Sequence, residues 1–392
     1  MGTSQLTRIL AANDKKKTFT LLISGSEFRP SGGGQPGDRG ELRADDLLFK
    51  VLESDKHPEG LAVAGTLVKG RLEPGMNLEE VVDLDLRAVY SRMHTGEHII
   101  SKVLEANLPS LRIEKVAVGE AESLIYLTYP GELGWEDLFA AEDRANEIVS
   151  LDLPVEIANV GRAEGERLPG VRGKWERIAD ETIRVVTIQG FDAIACSGSH
   201  VGSTGEVGDI LVTGYKGSPP NWEIRYITRG SALRNEYSRV ARRLARSVGC
   251  PADRLESVLS SLREENAALG KTLERASQLV AVPWESSNVG GLPLFFSVLP
   301  GVPRELVTVA SRRWSDDNPD ALVLLLMPEA EGKGGYFLFY RGKEVDRDFS
   351  SFLRESPSLA AKGGGRSDWL NGASPCMRPE EWRAAIARFL ST

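Results

Sequence analysis

Two pairs of metal-binding residue types constrain this chain more than any other feature. His94 and His98 lie four positions apart in the segment HTGEH, and Cys196 and His200 have the same spacing in CSGSH. On a helix, residues four apart share one face, so His94 and His98 can contact a single metal ion. Imidazole and thiolate are ligands that zinc prefers, and four of them complete a tetrahedral shell. The sequence therefore predicts a fold that brings both pairs together around a zinc ion.

The scarcity of these residue types supports that interpretation. The chain has four histidines and three cysteines in 392 residues, and three of the histidines and one cysteine fall in the two pairs. A single pair would be explained more simply by surface histidines, or by a cysteine that packs as a small core residue. The presence of both pairs favours the metal site.

Composition bounds the class of protein. A length of 392 residues predicts two or three domains, and 41% hydrophobic with 27% charged residues is typical of a globular chain. Three cysteines do not form a disulfide framework, and the N-terminal segment lacks the pattern of a signal peptide, so we expect a cytoplasmic protein. No apolar run reaches the ~18 residues of a membrane span. A net charge of −8 argues against nucleic-acid binding over the whole surface but allows a local basic patch.

The hydrophobic pattern predicts an α+β fold in the first 230 residues, because strands and helices are mixed without strict βαβ alternation. We expect a β-rich region over residues 18–90 and helices over residues 90–107 and 135–150. Further strands are predicted over residues 123–128, 153–160, 182–188, 208–215 and 222–228.

A glycine-rich stretch, FRPSGGGQPGDRG, lies in the β-rich region. Gly32, Gly33 and Gly34 allow the backbone to approach a ligand closely or to adopt positive φ. Gln35 would then present both a donor and an acceptor from a fixed loop. A glycine triplet alone is typical of a flexible surface turn, but the two prolines and the flanking Phe28 and Gln35 favour a loop of defined shape.

Two long amphipathic helices are predicted next, over residues 231–248 and 252–280. The first has an apolar stripe and an opposite face with five arginines: Arg234, Arg239, Arg242, Arg243 and Arg246. The second has Leu255, Leu262, Leu269 and Ala276 seven apart, which is coiled-coil-like spacing. It could pack against the first helix as a hairpin, or against a second subunit in a homodimer.

The remaining hundred residues are long enough for another domain, after a predicted linker over residues 281–292. Strands are predicted over residues 294–299, 321–327 and 336–340, and helices over residues 303–314 and 379–390. A second glycine triplet is flanked by two basic residues in a predicted loop, which could hold a phosphate through backbone N–H groups or could simply be solvated. Its residues are Lys362, Gly363, Gly364, Gly365 and Arg366.

The motifs FRPSGGGQPGDRG, HTGEH and CSGSHVGSTGEVG, in this order, resemble those of the alanyl-tRNA editing family. That family includes free-standing editing proteins and the editing domains of alanyl-tRNA synthetases. The long helices and the segment KGGGRSDWLNGA are similar to the C-terminal region of those synthetases. The resemblance covers nearly the whole chain, in the order of a long-form editing protein.

The resemblance implies an N-terminal β-barrel, a zinc-bearing α+β editing core, a helical linker and a C-terminal α/β domain that binds tRNA or oligomerises. The expected boundaries are residues 1–89, 90–230, 231–282 and 283–392. The implied activity is hydrolysis of tRNA(Ala) that carries serine or glycine. The implied zinc ligands are His94, His98, Cys196 and His200. We find no aminoacylation domain ahead of residue 18, so we expect editing without charging.

The chain departs from the family pattern at Glu97, where the synthetases commonly have Thr, and at Ser197 and Ser199, where Gly and Thr are frequent. Hydrolysis of an aminoacyl ester needs an activated water, and Glu97 is our candidate for its general base, although a carboxylate on a helix is more often a surface residue. Gln35, Ser199 and Thr204 are candidates for recognising a serine hydroxyl.

Two other functions are compatible with parts of the sequence. HTGEH also fits the His-x-x-Glu-His signature of a zinc metallopeptidase, in which Glu is the base. That alternative explains Glu97 but leaves Cys196, His200 and the arginine-rich helix without a role. A non-catalytic RNA-binding protein stabilised by zinc would not need a glycine-lined pocket.

Overall fold

The first six strands of the computed structural model, which describes residues 2–178, 180–329 and 334–391, close into a barrel. The order around the barrel is β1-β2-β5-β4-β3-β6, with antiparallel neighbours. Leu6, Leu21 and Phe49 fill its interior and are fully buried. The strands are β1 (Gly2–Asn13), β2 (Thr18–Ser24), β3 (Gly40–Ala44), β4 (Leu47–His57), β5 (Gly60–Lys69) and β6 (Asn77–Val82).

The expected N-terminal barrel is therefore confirmed, but its extent differs from the prediction. The sequence predicts the first strand at residue 18, whereas β1 begins at Gly2. Only the start of β1 alternates buried and exposed residues, and most of its later residues are exposed. This segment shows little alternation of apolar and polar residues in the sequence, so its periodicity does not indicate a strand. Pairing with both β2 and β6 makes it a strand and closes the barrel.

Helix α1 (Leu84–Asn107) forms the centre of the following α+β region. It begins six residues before the predicted start at Tyr90, because the Asp83 side chain caps it by accepting a hydrogen bond from the Leu86 N–H at 2.9 Å. Most of the helix from Tyr90 to Leu104 is buried. This part of the helix has no exposed residue, so its buried polar side chains must find partners inside the protein.

Two four-stranded sheets complete this region, in the orders β13-β14-β8-β7 and β10-β12-β11-β9. Helix α1 packs against helix α2 and against strands of both sheets. The elements are β7 (Arg112–Ala117), β8 (Ser123–Thr128), α2 (Trp135–Ser150), β9 (Val155–Gly161), α3 (Arg162–Gly165), β10 (Val171–Arg172), β11 (Thr182–Ile188), β12 (Asp192–Ala195), β13 (Ile210–Ser218) and β14 (Asn221–Thr228). The mixed α+β class is confirmed.

Helix α4 (Ser231–Val248) follows, and the chain divides within it into two compact units, Met1–Arg242 and Arg243–Thr392. No residue of α4 is buried. After the end of α4, the second unit continues with α5 (Leu255–Leu279), whose Leu259, Leu262 and Leu269 are 44%, 49% and 69% exposed. The coiled-coil pairing and the homodimer therefore stay predictions.

The second unit contains a six-stranded sheet in the order β15-β16-β17-β18-β20-β19. Only β16 and β17 are parallel. One face packs against α6 and the other against α8, which gives cores on both sides. The elements are β15 (Glu285–Val289), β16 (Leu292–Val298), α6 (Arg304–Asp317), β17 (Leu322–Pro328), β18 (Gly335–Arg341), α7 (Phe352–Glu355), β19 (Lys362–Arg366), β20 (Trp369–Ser374) and α8 (Pro379–Ser391).

Two predictions for this unit are wrong. The stretch over residues 281–292, predicted as a linker, contains β15, which pairs with β16. The second glycine triplet, predicted as a loop, forms strand β19 at the edge of the sheet. A Cβ on Gly363 or Gly365 would lie 2.1 or 2.0 Å from a carbonyl oxygen of β20, so these glycines permit close backbone contact within a hairpin.

Among the described residues, no helix combines the length and the apolar character that crossing a membrane requires.

Candidate metal and substrate site

The structure brings the two predicted pairs together. His94 and His98 lie on buried helix α1, and Cys196 and His200 lie on the irregular segment that follows β12. One nitrogen or sulfur atom from each of the four residues lies within 4.8 Å of the others. The Sγ of Cys196 is 3.3 Å from Nε2 of His94, and the ring centroids of the three histidines are 4.6–5.1 Å apart. These four residues could hold a metal ion.

The protonation of the histidines suits metal binding. Burial lowers the pKa of His94 and His200 well below the usual range, with smaller contributions from neighbouring histidine and arginine charges. Burial likewise lowers the pKa of His98 to about 3. All three imidazoles are therefore neutral at physiological pH, which is the state that ligates metals.

Two further observations test whether the donors fit a metal. Nε2 of His200 is buried and makes no hydrogen bond to any residue that the structure describes. Burial raises the pKa of the Cys196 thiol to about 12, so its thiolate needs a nearby cation. Three imidazoles and one thiol are a donor set that suits zinc among the common divalent ions.

Gln35 controls the orientation of His94. Its Oε1 lies 2.9 Å from Nδ1 of His94 and accepts the Ser199 backbone N–H at 2.9 Å, while its Nε2 donates to Ser199 Oγ at 2.8 Å. With Nδ1 bound in this way, Nε2 of His94 is the nitrogen that points towards Cys196. Gln35 is only 5% exposed and its amide is hydrogen-bonded within the site, and its contact with the substrate stays a prediction.

Thr95 has a similar relation to His200 and was missed in the sequence. Its Oγ1 is 3.1 Å from Nδ1 of His200 and accepts the Val201 N–H at 3.3 Å. This contact leaves Nε2 of His200 to face the other ligands. Hydrogen bonds to the second ring nitrogen fix the tautomer and orientation of a metal-binding histidine. No local pattern indicates this role, because Thr95 and His200 are 105 positions apart.

The glycines around the cluster let two loops approach it closely. Gly33 has φ +60°, and a Cβ there would lie 3.2 Å from the His94 ring and 3.4 Å from the Cys196 sulfur. A Cβ on Gly198 would lie 2.1 Å from the same ring. Reciprocal backbone hydrogen bonds of 3.0 Å between Gly32 and Gln35 close the first loop. The glycine triplet is therefore part of a loop of defined shape, as predicted.

Comparison with known proteins agrees with the geometry. A family profile described as the threonyl and alanyl tRNA synthetase second additional domain matches residues 183–232, which include Cys196 and His200. The chain is 26% identical to the alanyl-tRNA editing protein AlaX-L of Pyrococcus horikoshii over 98% of its own length and 95% of that protein. The predicted resemblance to alanyl-tRNA editing proteins is confirmed.

A solved structure also matches part of the chain. It is the C-Ala domain of alanyl-tRNA synthetase from Aquifex aeolicus, which is 21% identical and aligns over 26% of this chain and 98% of that one. The TM-score of 0.24 is too low to establish a common fold.

Two predicted substrate-binding residues are buried in the structure. Thr204 is fully buried, and its hydroxyl donates to the Ile148 carbonyl at 3.0 Å and accepts the Leu153 N–H at 2.9 Å. That hydroxyl is already hydrogen-bonded to the end of α2 and to the residues that follow it, and the substrate-binding role of Thr204 stays a prediction. Ser199 is also buried, and its Oγ accepts a hydrogen bond from Gln35, which leaves its own proton to donate.

Glu97 is a buried residue of α1, which excludes the alternative of a surface carboxylate. Its Oε1 accepts the Ser101 hydroxyl at 2.5 Å, and its Oε2 is 3.8 Å from Nε2 of His98, beyond hydrogen-bond distance. Burial raises the pKa of Glu97 to about 7, against the opposing effects of the Ser101 hydrogen bond and Arg172. A carboxylate in this position can gain or lose a proton near neutral pH.

The predicted basic residues are all exposed, but Arg234 differs from the others in its contacts. Arg239, Arg242, Arg243 and Arg246 of α4, here called the α4 arginine face, are exposed to solvent. So are all residues of β19. Arg234 instead contacts Glu142 at 3.3 Å and the Ile210 carbonyl at 3.1 Å. Its guanidinium fixes the start of α4 to the preceding domain, so it is a poor candidate for binding phosphate.

Proposed function

We propose that this protein is a trans-editing hydrolase that removes serine, glycine or both from mischarged tRNA(Ala). The observation that carries the proposal is the cluster of three histidines and one cysteine, in a chain similar over almost its whole length to an alanyl-tRNA editing protein. The metallopeptidase alternative is weaker, because it gives no role to Cys196 and His200, which lie in the cluster. A non-catalytic zinc protein would not need the glycine-lined loops next to the cluster.

Zinc would be held by His94, His98, Cys196 and His200. When bound, it would polarise the ester carbonyl or lower the pKa of a water. Gln35 and Thr95 hold two of the imidazoles with Nε2 directed into the cluster. Closed four-ligand sites are usually structural. Either one ligand is loose, or the metal chiefly positions the substrate while a protein group activates water.

Glu97 is the protein group that we assign to water activation. In the hydrolysis, water oxygen bonds to the ester carbonyl carbon, the bond from that carbon to the ribose oxygen breaks, and a proton passes to the leaving oxygen. Glu97 would accept the proton of the attacking water. Its burial next to His98 supports this role, and groups of this kind contribute ~10²–10⁴-fold to the rate. The alternative is that Glu97 orients the substrate amino group or a ligand.

Recognition of serine would depend on its hydroxyl. A site that hydrogen-bonds a hydroxyl can reject an analogue without one by as much as ~10⁴-fold, because its polar groups would be left unpaired. Ser199 is our first candidate for this contact, since its hydroxyl proton has no acceptor among the residues that the structure describes. Serine is larger than alanine, so a pocket that admits serine cannot exclude alanine by size and must use the hydroxyl.

Binding of tRNA would use exposed basic groups on an otherwise acidic protein. The α4 arginine face, with Lys362 and Arg366 on β19, provides these groups. Phosphate contacts of this kind make affinity fall steeply as salt rises.

Single-turnover deacylation of Ser-tRNA(Ala) by Glu97→Gln tests the assigned chemistry. The amide keeps the shape of the carboxylate and removes its basicity, so zinc content and tRNA affinity should persist while the rate falls by roughly 10²-fold or more. Asp85→Asn is a matched control, because Asp85 lies on the same helix and is exposed. A near-normal rate for Glu97→Gln would end the general-base assignment.

A further inference from the structure

Two arginines next to the metal cluster lack carboxylate partners. Arg29 lies between β2 and the glycine triplet, and Arg184 lies on β11; both are half-buried. Nη1 of Arg184 donates to the backbone carbonyls of Ser197 and Gly198 at 2.8 and 2.9 Å. Among the residues that the structure describes, neither arginine forms an ion pair, and the Arg29 guanidinium makes no hydrogen bond. Both side chains therefore have unused donors.

The two arginines belong to the same rim of the site. A Cβ on Gly32 would lie 2.5 Å from the Ser197 hydroxyl, so the loop that follows Arg29 touches the loop to which Arg184 is bonded. Burial and the charge of Arg29 lower the pKa of Arg184. The rim therefore concentrates positive charge at the cluster, although the chain as a whole has a net charge of −8.

A third arginine near the cluster has its charge neutralised by carboxylates. Arg172 contacts Asp192 at 2.6 Å and Glu105 at 3.0 Å, and these carboxylates raise its pKa despite its burial. Half-buried charges without such partners are costly to keep unless a ligand of opposite charge binds there. Planar guanidinium groups match the oxygens of a phosphate especially well. Arg29 and Arg184 therefore offer guanidinium donors that suit an anion.

We infer that Arg29 and Arg184 bind the phosphate on the 5′ side of the terminal nucleotide of the aminoacylated RNA. This inference rests on the proposed function, because it takes the ligand to be an aminoacyl ester at the 3′ end of an RNA. The ester and that phosphate belong to the same nucleotide and are separated by one ribose. Gripping the phosphate at the rim would hold the ribose in place and present the ester to the cluster.

Two inert substrate analogues test this subsite without depending on catalysis. Both are 3′-amino-3′-deoxyadenosine with serine joined to the 3′ nitrogen as an amide. One of them also has a 5′-phosphate methyl ester. Isothermal titration of the zinc-loaded protein should show a preference for the phosphorylated analogue of roughly tenfold to a hundredfold. Arg29→Gln should remove most of this preference and leave affinity for the unphosphorylated analogue unchanged. Arg184→Lys keeps the positive charge but loses the planar guanidinium group. It should therefore reduce the preference for the phosphorylated analogue less than Arg29→Gln does.

Arg8→Gln is the matched control, because Arg8 is an exposed arginine of the same barrel that pairs with Glu59. Its preference should equal that of the wild-type protein. Zinc content and the unfolding midpoint of Arg29→Gln should also be unchanged, since the guanidinium bonds to no described residue.

The outcomes separate this inference from the proposed function. If the wild-type protein hydrolyses Ser-tRNA(Ala) but Arg29→Gln keeps the full phosphate preference, the subsite is overturned and the function stands. If the wild-type protein neither hydrolyses Ser-tRNA(Ala) nor binds the unphosphorylated analogue, the function fails. In that case, titration with adenosine 5′-monophosphate decides whether the phosphate subsite exists. If Arg29→Gln binds this nucleotide more weakly than the wild-type protein does, the subsite is supported. If neither protein binds it, or if both bind it equally, the subsite is overturned.

Discussion

Gly198→Ala should damage the metal site without altering any ligand. The new Cβ would lie 2.1 Å from both Cε1 and Nδ1 of the His94 ring and 2.9 Å from Oε1 of Gln35. Real Cβ atoms essentially never approach heavy atoms closer than 3.0 Å, so the ring would have to move by roughly 1 Å. Metal–ligand distances tolerate only about ±0.2 Å, and the same movement would disturb the bond from Gln35 that orients the ring.

The expected loss can be estimated from that displacement. Removing a group that orients a ligand typically costs 10–100-fold in metal affinity, so displacing the ligand itself should cost roughly 100-fold or more. Overpacking a buried position also destabilises a protein by about 1–3 kcal/mol. Competition with a chromogenic chelator measures the zinc affinity, and urea unfolding of the metal-free protein measures the packing cost separately.

Gly161→Ala is the control for the chemical change alone, because a Cβ at Gly161 would have no atom within 4 Å. Its zinc affinity should equal that of the wild-type protein, and its free energy of unfolding should lie within about 1 kcal/mol of the wild-type value. If Gly198→Ala bound zinc within threefold of wild-type affinity, His94 could not occupy the position described and the reasoning would be refuted.

Three further predictions concern the ligands and the RNA. Cys196→Ala should lower the zinc content of the purified protein below one per chain, and an unchanged stoichiometric content would remove Cys196 from the ligand set. Thr95→Val should weaken zinc binding by roughly 10–100-fold in a chelator competition while Thr95→Ser restores most of it, because only the hydroxyl orients His200; equal affinities for the two variants would show that the hydroxyl has no such role. Changing the α4 arginine face to serine should raise KM for Ser-tRNA(Ala) and flatten its dependence on salt with little effect on kcat, and an unaltered KM would place the tRNA contacts elsewhere.

The cluster of candidate metal ligands was predictable because its signal is local and built from rare residues. Histidines four positions apart on a helix share a face whatever surrounds them. A cysteine and a histidine at the same spacing supply the other two candidate ligands. Strand β8 and helix α2 were predicted with their observed bounds, since their apolar periodicity is strong.

The missed features depend on distant contacts. Strand β1 exists because it pairs with β2 and β6, and the second glycine triplet is a strand because it pairs with β20. Thr95 looks like any polar residue of a helix until His200, 105 positions later, is placed beside it. The hydrogen bonds from the Gln35 amide to His94 and Ser199 were also missed, because those residues are distant from Gln35 in the sequence.

The central claim is that the cluster supports hydrolysis of mischarged tRNA(Ala), and one measurement tests it most directly. Single-turnover deacylation of Ser-tRNA(Ala) and Ala-tRNA(Ala) would be followed with the purified protein, with protein stripped of metal, and with stripped protein supplied with one equivalent of zinc. We expect rapid loss of serine, little loss of alanine, a serine rate that falls to the uncatalysed value after stripping, and recovery with zinc. Equal rates for the two substrates, or an undiminished serine rate in the stripped protein, would contradict the account.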